Sequence, residues 1–103
     1  MPSKANRQQV LKDAWIGDAV LTLYARNRIL AGEGGIDAQR VEQMTSNQFL
    51  SAYGEASETE AEIGVIYKCD GLEGAFAWIE AHLMPIYERQ EAKRLRRQGR
   101  NPV

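Results

Sequence analysis

Apolar residues recur every three or four positions along residues 8–30, and this spacing constrains the fold more strongly than any other feature of the chain. The period is that of an α-helix with a broad apolar face, which must be buried against neighbouring elements. Gly32, Gly34 and Gly35 follow and are expected to end the helix. Residues 8–30 therefore predict a long central helix.

The segments that follow also have helix-forming patterns. Asp37 can cap a second helix that ends near Met44. Residues 45–48, Thr-Ser-Asn-Gln, have the form of a capping box and predict a short helix through Tyr53. A second capping box, Ser-Glu-Thr-Glu at residues 57–60, predicts the start of the next helix.

A turn is expected at Asp70 and Gly71, because this pair of residues favours tight turns. It is followed by apolar residues at helical spacing, which form one face: Leu72, Ala75, Phe76, Ile79 and Leu83. Pro85 predicts a kink or a new helix start. Residues 99–103 are expected to be disordered.

No segment has the alternation of a strand, so we predict an all-α fold of five or six helices. Residues 1–87 are expected to form a single helical domain, followed by a basic helical or disordered tail at residues 88–103. The length of 103 residues and the hydrophobic fraction of 44% suit a single core. A domain of this size leaves much of its surface exposed, which makes oligomerisation a natural way to bury more.

The expected location is the cytoplasm. Cys69 is the only cysteine, so an internal disulfide is excluded and a reducing compartment is favoured. The first residues lack the apolar run of a signal peptide. No stretch reaches the roughly 18 apolar residues of a membrane span, so no membrane association is expected.

The net charge of −1 conceals an uneven distribution. Residues 1–87 carry 7 basic and 12 acidic side chains, whereas residues 88–103 carry 6 basic and 2 acidic ones. The basic residues of the tail are Arg89, Lys93, Arg94, Arg96, Arg97 and Arg100. An acidic body with a basic tail suits a protein that holds a metal in one place and a polyanion in another. The alternative interpretation of the basic tail is a solvated helix end that binds no polyanion.

Gly17 and Asp18 stand inside the apolar helix, where neither residue is favourable by itself. A glycine in mid-helix costs about 1 kcal/mol relative to alanine, and an unpaired carboxylate among apolar residues is expensive. A helix tolerates both if Gly17 permits close packing and Asp18 meets a cation or hydrogen-bond donors. That cation could be a bound metal, or it could be Arg26 or Arg28 in a structural salt bridge.

The sequence lacks the common catalytic and cofactor-binding motifs. The chain contains no HExxH, CxxC, P-loop or dinucleotide-binding fingerprint. Cys69 and His82 lie 13 residues apart without an obvious third partner, which does not favour a nucleophilic pair.

Three segments resemble the motifs of ribonuclease III domains, in the family's order. Residues 14–21, Ala-Trp-Ile-Gly-Asp-Ala-Val-Leu, resemble the signature helix. Residues 44–50, Met-Thr-Ser-Asn-Gln-Phe-Leu, are similar to the Ser-Asn helix. Residues 60–67, Glu-Ala-Glu-Ile-Gly-Val-Ile-Tyr, are similar to the second metal-binding helix, and residues 70–73 continue the match. The resemblance covers about residues 11–83 and is closest to the mini-ribonuclease III type, which has no double-stranded-RNA-binding domain.

The resemblance implies metal-assisted hydrolysis of double-stranded RNA, with carboxylates that hold Mg²⁺ or Mn²⁺. Asp18 takes the place of the signature aspartate and Glu60 that of the glutamate of the second helix. Both are therefore expected to be catalytic metal ligands. Glu60 has an alternative role, because a capping box at residues 57–60 would turn its side chain back to the helix start.

Two acids of larger family members are replaced in this chain, by Ala14 and Ser57. The mini type also has alanine at the first of these positions. The candidate supporting acids are Asp13, Glu58 and Glu62.

Trp15 takes the position of an aromatic residue that enters a pocket of the partner subunit, so the resemblance implies a homodimer. A position in the intramolecular core is the alternative for Trp15. The expected function is that of a divalent-metal-dependent endoribonuclease, a hydrolase of double-stranded or structured RNA, with ribosomal RNA processing as the family precedent. The basic tail is the candidate RNA-binding element.

Ala14 and Ser57 favour a different hypothesis, a catalytically degenerate ribonuclease III-like domain that binds RNA or a ribosomal partner without cleaving it. A third hypothesis, a helical homodimer that only mediates protein interactions, leaves Asp18 unexplained.

Overall fold

The structure, a computed structural model, describes residues 4–99. Its helices are α1 Lys4–Ala31, α2 Ala38–Thr45, α3 Asn47–Leu50, α4 Ala56–His82 and α5 Met84–Gly99. No strand occurs within the described residues, so the predicted all-α class is confirmed. The expected number of five or six helices is not confirmed, because four helices have at least eight residues and α3 is a single turn.

The central position predicted for the first helix is observed. α1 packs against α4 along much of its length and also against α2. It ends where the glycines begin, and the Gly32 amide donates to the Ile29 carbonyl at 3.1 Å. The predicted apolar face of α1 is buried in part. Its buried side chains are Ala14, Val20, Leu21, Tyr24, Ala25 and Ile29, whereas the side chains of Leu11, Trp15, Leu23 and Leu30 are exposed.

The caps of α2 and α3 show how closely local sequence determines a helix start. Asp37 caps α2 as predicted, since its Oδ1 accepts from the Arg40 amide at 3.1 Å. The cap of α3 is Ser46, whose Oγ accepts from the Phe49 amide at 3.1 Å. The predicted capping box began one residue earlier, at Thr45. That position is wrong because the Thr45 hydroxyl donates to the carbonyl of Val41 at 2.9 Å and completes α2.

The predicted capping box at residues 57–60 is also wrong. α4 begins at Ala56, and its cap is Glu55, whose Oε2 accepts from the Glu58 amide at 2.8 Å. Glu55 therefore caps the first turn of α4 through the Glu58 N–H group, and Ser57 lies inside the helix instead of at its cap. As a consequence, Glu60 lies inside the helix and is not required at the helix start.

The predicted turn at Asp70 and Gly71 appears as an interruption of α4. Gly71 has φ 74° and ψ −172°, a conformation that favours glycine because a side chain would be strained there. After this break Ala75, Ile79 and Leu83 are buried as predicted. Leu72, which was expected on the same face, is exposed because it immediately follows the break.

α5 begins where Pro85 predicted a new helix start. Pro85 is its second residue, a position at which the missing N–H group has no intrahelical partner to lose. Tyr87 is buried in the core, and α5 continues without a break through residue 88, the predicted boundary of the tail. Gly99 ends the helix, and the remaining residues for which disorder was predicted, 100–103, lie outside the described residues.

The helices α1 to α5 pack around a single hydrophobic core. The largest fully buried side chains come from α1, α2, α3, α4 and the junction of α4 with α5: Leu21, Met44, Leu50, Ile63, Ile79, Leu83 and Met84. Among the described residues, the helices are too short or too polar for any of them to span a membrane.

Candidate active site

α1 and α4 touch backbone to backbone at two glycines. A Cβ atom added to Gly17 would lie 1.7 Å from the carbonyl oxygen of Glu60 and 2.9 Å from the nitrogen of Gly64. A Cβ atom added to Gly64 would lie 2.0 Å from the carbonyl oxygen of Asp13. No side chain fits at either position, so the glycine in mid-helix is explained by close packing, as the sequence predicted.

This crossing brings the two predicted metal ligands together. Asp18 follows Gly17 on α1, and Glu60 lies one turn before Gly64 on α4. The Glu60 carboxyl is half-buried and within hydrogen-bonding reach of the exposed Asp18 carboxylate. The hypothesis that Glu60 only closes a capping box is therefore wrong, because its side chain faces α1.

The electrostatics of this pair are unusual. Burial, followed by the hydrogen bond and negative charge of Asp18, raises the pKa of Glu60 from 4.5 to about 7. The carboxylate of Glu55 adds a smaller effect in the same direction. At neutral pH the Glu60 carboxyl thus holds a proton for a large fraction of the time, since two adjacent carboxylates resist joint ionisation.

Neither carboxylate has a cationic partner among the described side chains. The ion pairs of that part of the chain join Arg28 to Glu88 at 3.8 Å, Arg40 to Glu91 at 2.8 Å, and Lys68 to Asp13. The salt-bridge hypothesis for Asp18 is therefore wrong.

The two arginines proposed for that salt bridge lie elsewhere. Arg28 also donates to the Tyr24 hydroxyl at 3.4 Å, and Arg26 lines a groove between α1 and α2.

The candidate supporting acids differ in their surroundings. Asp13 is buried and bound by the Lys68 ammonium and, at 3.1 Å, by the Gln9 amide; the Lys68 hydrogen bond is the main reason that its pKa is lowered. Glu58 and Glu62 are exposed on α4. Neither of these two contributes to the raised pKa of Glu60, whereas Glu55 does.

Glu55 is the neighbour of the site that the sequence analysis missed. A signal for it exists, because Glu55 directly follows the helix-breaking Gly54 and precedes the first helical residue. An acidic side chain in that position can accept from the free N–H groups of the first turn. The capping box at Ser57 obscured this signal, since serine is the stronger cap by composition alone.

The donor set fits a divalent cation. Carboxylate oxygens are the ligands that Mg²⁺ and Mn²⁺ prefer, and Mg²⁺ commonly uses one or two carboxylates with water and phosphate as its other ligands. Asp18 and Glu60 supply such a pair. No group of three or more His, Cys, Asp or Glu side chains placed to hold a metal occurs in the part of the chain that the structure describes. Even without a cation, Glu60 has the pKa of a residue that can donate or accept a proton near pH 7.

Trp15 lies at the surface beside this pair. Its side chain is 80% exposed, so the alternative of a position in the intramolecular core is wrong. Leu11 and Leu23 are also exposed. Leu11 precedes Trp15 by four residues and neighbours it on the surface of α1, and Leu23 lies about two turns after Trp15. We call these three residues the α1 strip.

The basic residues of α5 do not form a single surface. Arg89, Lys93 and Arg96 line one groove together with Ile86 and Ala52. Lys93, Arg94 and Arg97 line a separate cavity against α2 and α3. Arg100 lies outside the described residues.

The one histidine has a structural environment. The His82 ring stacks on Trp78 with 4.7 Å between centroids, and its Nδ1 is 3.0 Å from the Trp78 carbonyl oxygen. Cys69 is exposed on α4.

Comparisons with protein-family models, with curated proteins and with solved structures found no match. Functional inference for this chain therefore depends on the geometry of Asp18 and Glu60 and on the sequence motifs around them.

Proposed function

We propose that this protein is a divalent-metal-dependent endoribonuclease that hydrolyses double-stranded or structured RNA. The observation that carries the proposal is the juxtaposition of Asp18 and Glu60 across the Gly17–Gly64 contact, without a protein cation beside them. Two adjacent carboxylates are costly for the fold. Their presence at the surface of the α1–α4 crossing is accounted for by a cationic ligand that relieves the repulsion.

Asp18 and Glu60 would hold the cation, Mg²⁺ or Mn²⁺. Glu60 holds a proton near neutral pH and would release it when positive charge is placed between the two side chains. A divalent cation bound there supplies a lowered pKa for an attacking water and positive charge for the phosphate that is cleaved. Asp18, which is exposed, keeps the pair open to a substrate as large as an RNA duplex.

RNA binding is assigned to the basic residues of α5. Arginine and lysine side chains contact phosphates without sequence preference, and the affinity then falls steeply with salt. Such contacts suit an A-form duplex, which proteins recognise largely through its shape, backbone and 2′-hydroxyl groups. The α5 residues would thus take the role of a separate RNA-binding domain.

The α1 strip is proposed as the homodimer interface. An exposed tryptophan with two exposed leucines is an apolar surface of the kind that association buries. Trp15 precedes Asp18 by three residues on α1, so a two-fold interface there would place two carboxylate pairs near one duplex. On the basis of the sequence resemblance, the proposed role is the processing of ribosomal RNA in the cytoplasm.

The test is cleavage of an end-labelled RNA duplex in about 5 to 10 mM Mg²⁺, a range suited to a site with few carboxylates. The variants are Asp18→Asn and Glu60→Gln, and the matched control is Glu73→Gln, which removes one exposed carboxylate from the same helix α4. Discrete, EDTA-sensitive products from the parent and from the Glu73 variant, lost in the other two, are expected. Cleavage that survives both site substitutions would overturn the assignment.

A second candidate is a domain that binds RNA without cleaving it. The observation in its favour is that Asp13, an acid close in sequence to Asp18, is already committed to Lys68. This candidate predicts duplex binding by the parent without products in Mg²⁺ or Mn²⁺, and unchanged binding by the Asp18→Asn variant.

A further inference from the structure

A basic cavity lies between α5 and the α2–α3 region, away from the carboxylate pair. Its volume is about 300 Å³. Its lining residues come from α2, the α2–α3 junction, α3 and α5: Gln43, Ser46, Gln48, Phe49, Gln90, Lys93, Arg94 and Arg97. These include three cations, three amides and one hydroxyl, and no acid. We call this cavity the α5 pocket.

Arg94 is one of the cations that line the α5 pocket. Its guanidinium carbon lies 5.8 Å from the centroid of the Tyr87 ring, a distance at which a cation and an aromatic face attract each other. Its Nη2 atom is buried and has no hydrogen-bond partner. A buried guanidinium nitrogen without an acceptor is unfavourable. Arg94 therefore has an unused hydrogen-bond donor that none of the described residues satisfies.

The acids nearest in sequence are used by other arginines. Glu88 pairs with Arg28 at 3.8 Å, and Glu91 pairs with Arg40 at 2.8 Å. Both pairs join α5 to other helices, and neither acid lines the α5 pocket. Among the described residues, no ion pair joins Lys93, Arg94 or Arg97 to a carboxylate.

We propose that the α5 pocket binds one phosphate group. A guanidinium donates two parallel hydrogen bonds to a phosphate, and ammonium and amide groups can fill the remaining acceptor positions. Three cations match an anion with more than one negative charge better than they match a single carboxylate. One water occupies about 30 Å³ of liquid volume. The α5 pocket, at about 300 Å³, is therefore large enough for a phosphate together with part of an attached sugar.

The α5 pocket differs from a simple basic surface in its amide and hydroxyl groups, which come from Gln43, Gln48, Gln90 and Ser46. Arg96, the neighbour of Arg97, is also exposed but lines the other groove of α5. If charge alone determined anion binding, the two arginines would contribute equally. If the α5 pocket binds phosphate, Arg97 contributes more than Arg96. This inference deepens the proposed role of α5 in RNA binding, and its test is independent of RNA cleavage because the α5 pocket contains neither Asp18 nor Glu60.

The experiment is a titration of the full chain with inorganic phosphate in EDTA, at constant ionic strength, followed by NMR of the arginine Nε–H and glutamine NH₂ groups. Signals of Arg94 and Gln48 are expected to shift together and to saturate. Arg94→Gln should weaken phosphate binding about tenfold, the effect of losing charged hydrogen bonds. Arg97→Gln should weaken it several-fold more than Arg96→Gln does.

Because Arg94 also packs on Tyr87, its substitution could disturb the fold, and Gln48→Ala serves as the second variant. Gln48 is exposed on α3, and its loss should weaken phosphate binding about threefold or more with an unchanged melting temperature. No saturable shift, or equal losses for the Arg96 and Arg97 variants, would overturn the proposal.

A competition arm identifies the source of the phosphate. An RNA duplex that displaces inorganic phosphate from Arg94 and Gln48 would support the pocket and identify the RNA backbone as its ligand. A duplex that binds without displacing phosphate would support the pocket as a site for a free phosphate or a phosphate monoester. Both outcomes are independent of RNA cleavage, since EDTA is present throughout.

Discussion

Glu60 stands half-buried against Asp18, and in the absence of metal this arrangement opposes folding at neutral and alkaline pH. Its pKa is raised from 4.5 to about 7. An acid whose pKa rises on folding favours the folded state below the unfolded pKa, and that contribution is lost as the pH rises through the folded pKa. The contribution of Glu60 to the stability of the folded state is therefore lost between pH 4.5 and about 7. We predict that Glu60→Gln, which cannot ionise, stabilises the metal-free protein above this pH range.

The magnitude follows from the size of the shift. Each pKa unit corresponds to about 1.4 kcal/mol, so a shift from 4.5 to about 7 gives an upper bound of roughly 3 to 4 kcal/mol. Glu60 is partly exposed, and solvent screening reduces this to on the order of 1 to 2 kcal/mol. For a domain of this size, 1 kcal/mol changes the melting temperature by about 4 to 8 °C.

The assay is thermal unfolding by circular dichroism in EDTA at pH 8.0 and pH 4.5, at one protein concentration. Glu60→Gln should melt at least about 4 °C above the parent at pH 8.0 and within a degree or two of it at pH 4.5. Glu73→Gln, an exposed acid of the same helix, should change stability by less than about 0.5 kcal/mol. A Glu60→Gln variant that is no more stable than the parent at pH 8.0, or equally stabilised at both pH values, would refute the like-charge account.

Adding Mg²⁺ at pH 8.0 provides a second readout on the same samples. A ligand that binds only the folded state raises the melting temperature by mass action. The parent should gain stability, and Glu60→Gln should gain less because it has lost a carboxylate ligand. Equal gains would contradict the proposed role of Glu60 in metal binding without affecting the pH argument.

Three further predictions concern the packing of α1. Gly64→Ala should lower the free energy of unfolding in urea by about 3 kcal/mol or more, because the added Cβ would lie 2.0 Å from the Asp13 carbonyl oxygen. The control is Gly34→Ala, whose added Cβ meets no atom within 4 Å. Equal stability of the two variants would contradict the close contact between α1 and α4. Asp13→Asn should destabilise the fold at pH 7. The difference in melting temperature between the parent and this variant should shrink as the pH falls through the pKa of Asp13, which Lys68 holds below 3.8. The same difference at pH 7 and pH 3 would exclude the Asp13–Lys68 ion pair as the cause. Trp15→Ala should weaken homodimer formation at least about 30-fold in sedimentation equilibrium, while an unchanged association state would remove the α1 strip as the interface.

Local sequence determined the helices because a helix depends on contacts between residues three and four positions apart. The apolar period of α1, the cap at Asp37, the break at Gly71 and the new helix start beside Pro85 could all be predicted in this way. Where two neighbouring residues compete for a cap, as Glu55 and Ser57 do, the free-energy difference is below about 1 kcal/mol and the sequence does not decide it.

Asp18 and Glu60 could also be identified as candidates before the fold was known, through the motifs that contain them and, for Asp18, through its unfavourable place beside Gly17 inside a helix. That the two carboxyl groups meet could not be predicted, because it depends on two glycines far apart in the chain that allow α1 and α4 to touch. The same holds for the α5 residues. Their charge is visible in the sequence, but packing against α2 and α3 determines that Arg94 and Arg97 line a cavity while Arg96 does not. Helix packing fixes such neighbours, since it depends on surfaces that no local pattern describes.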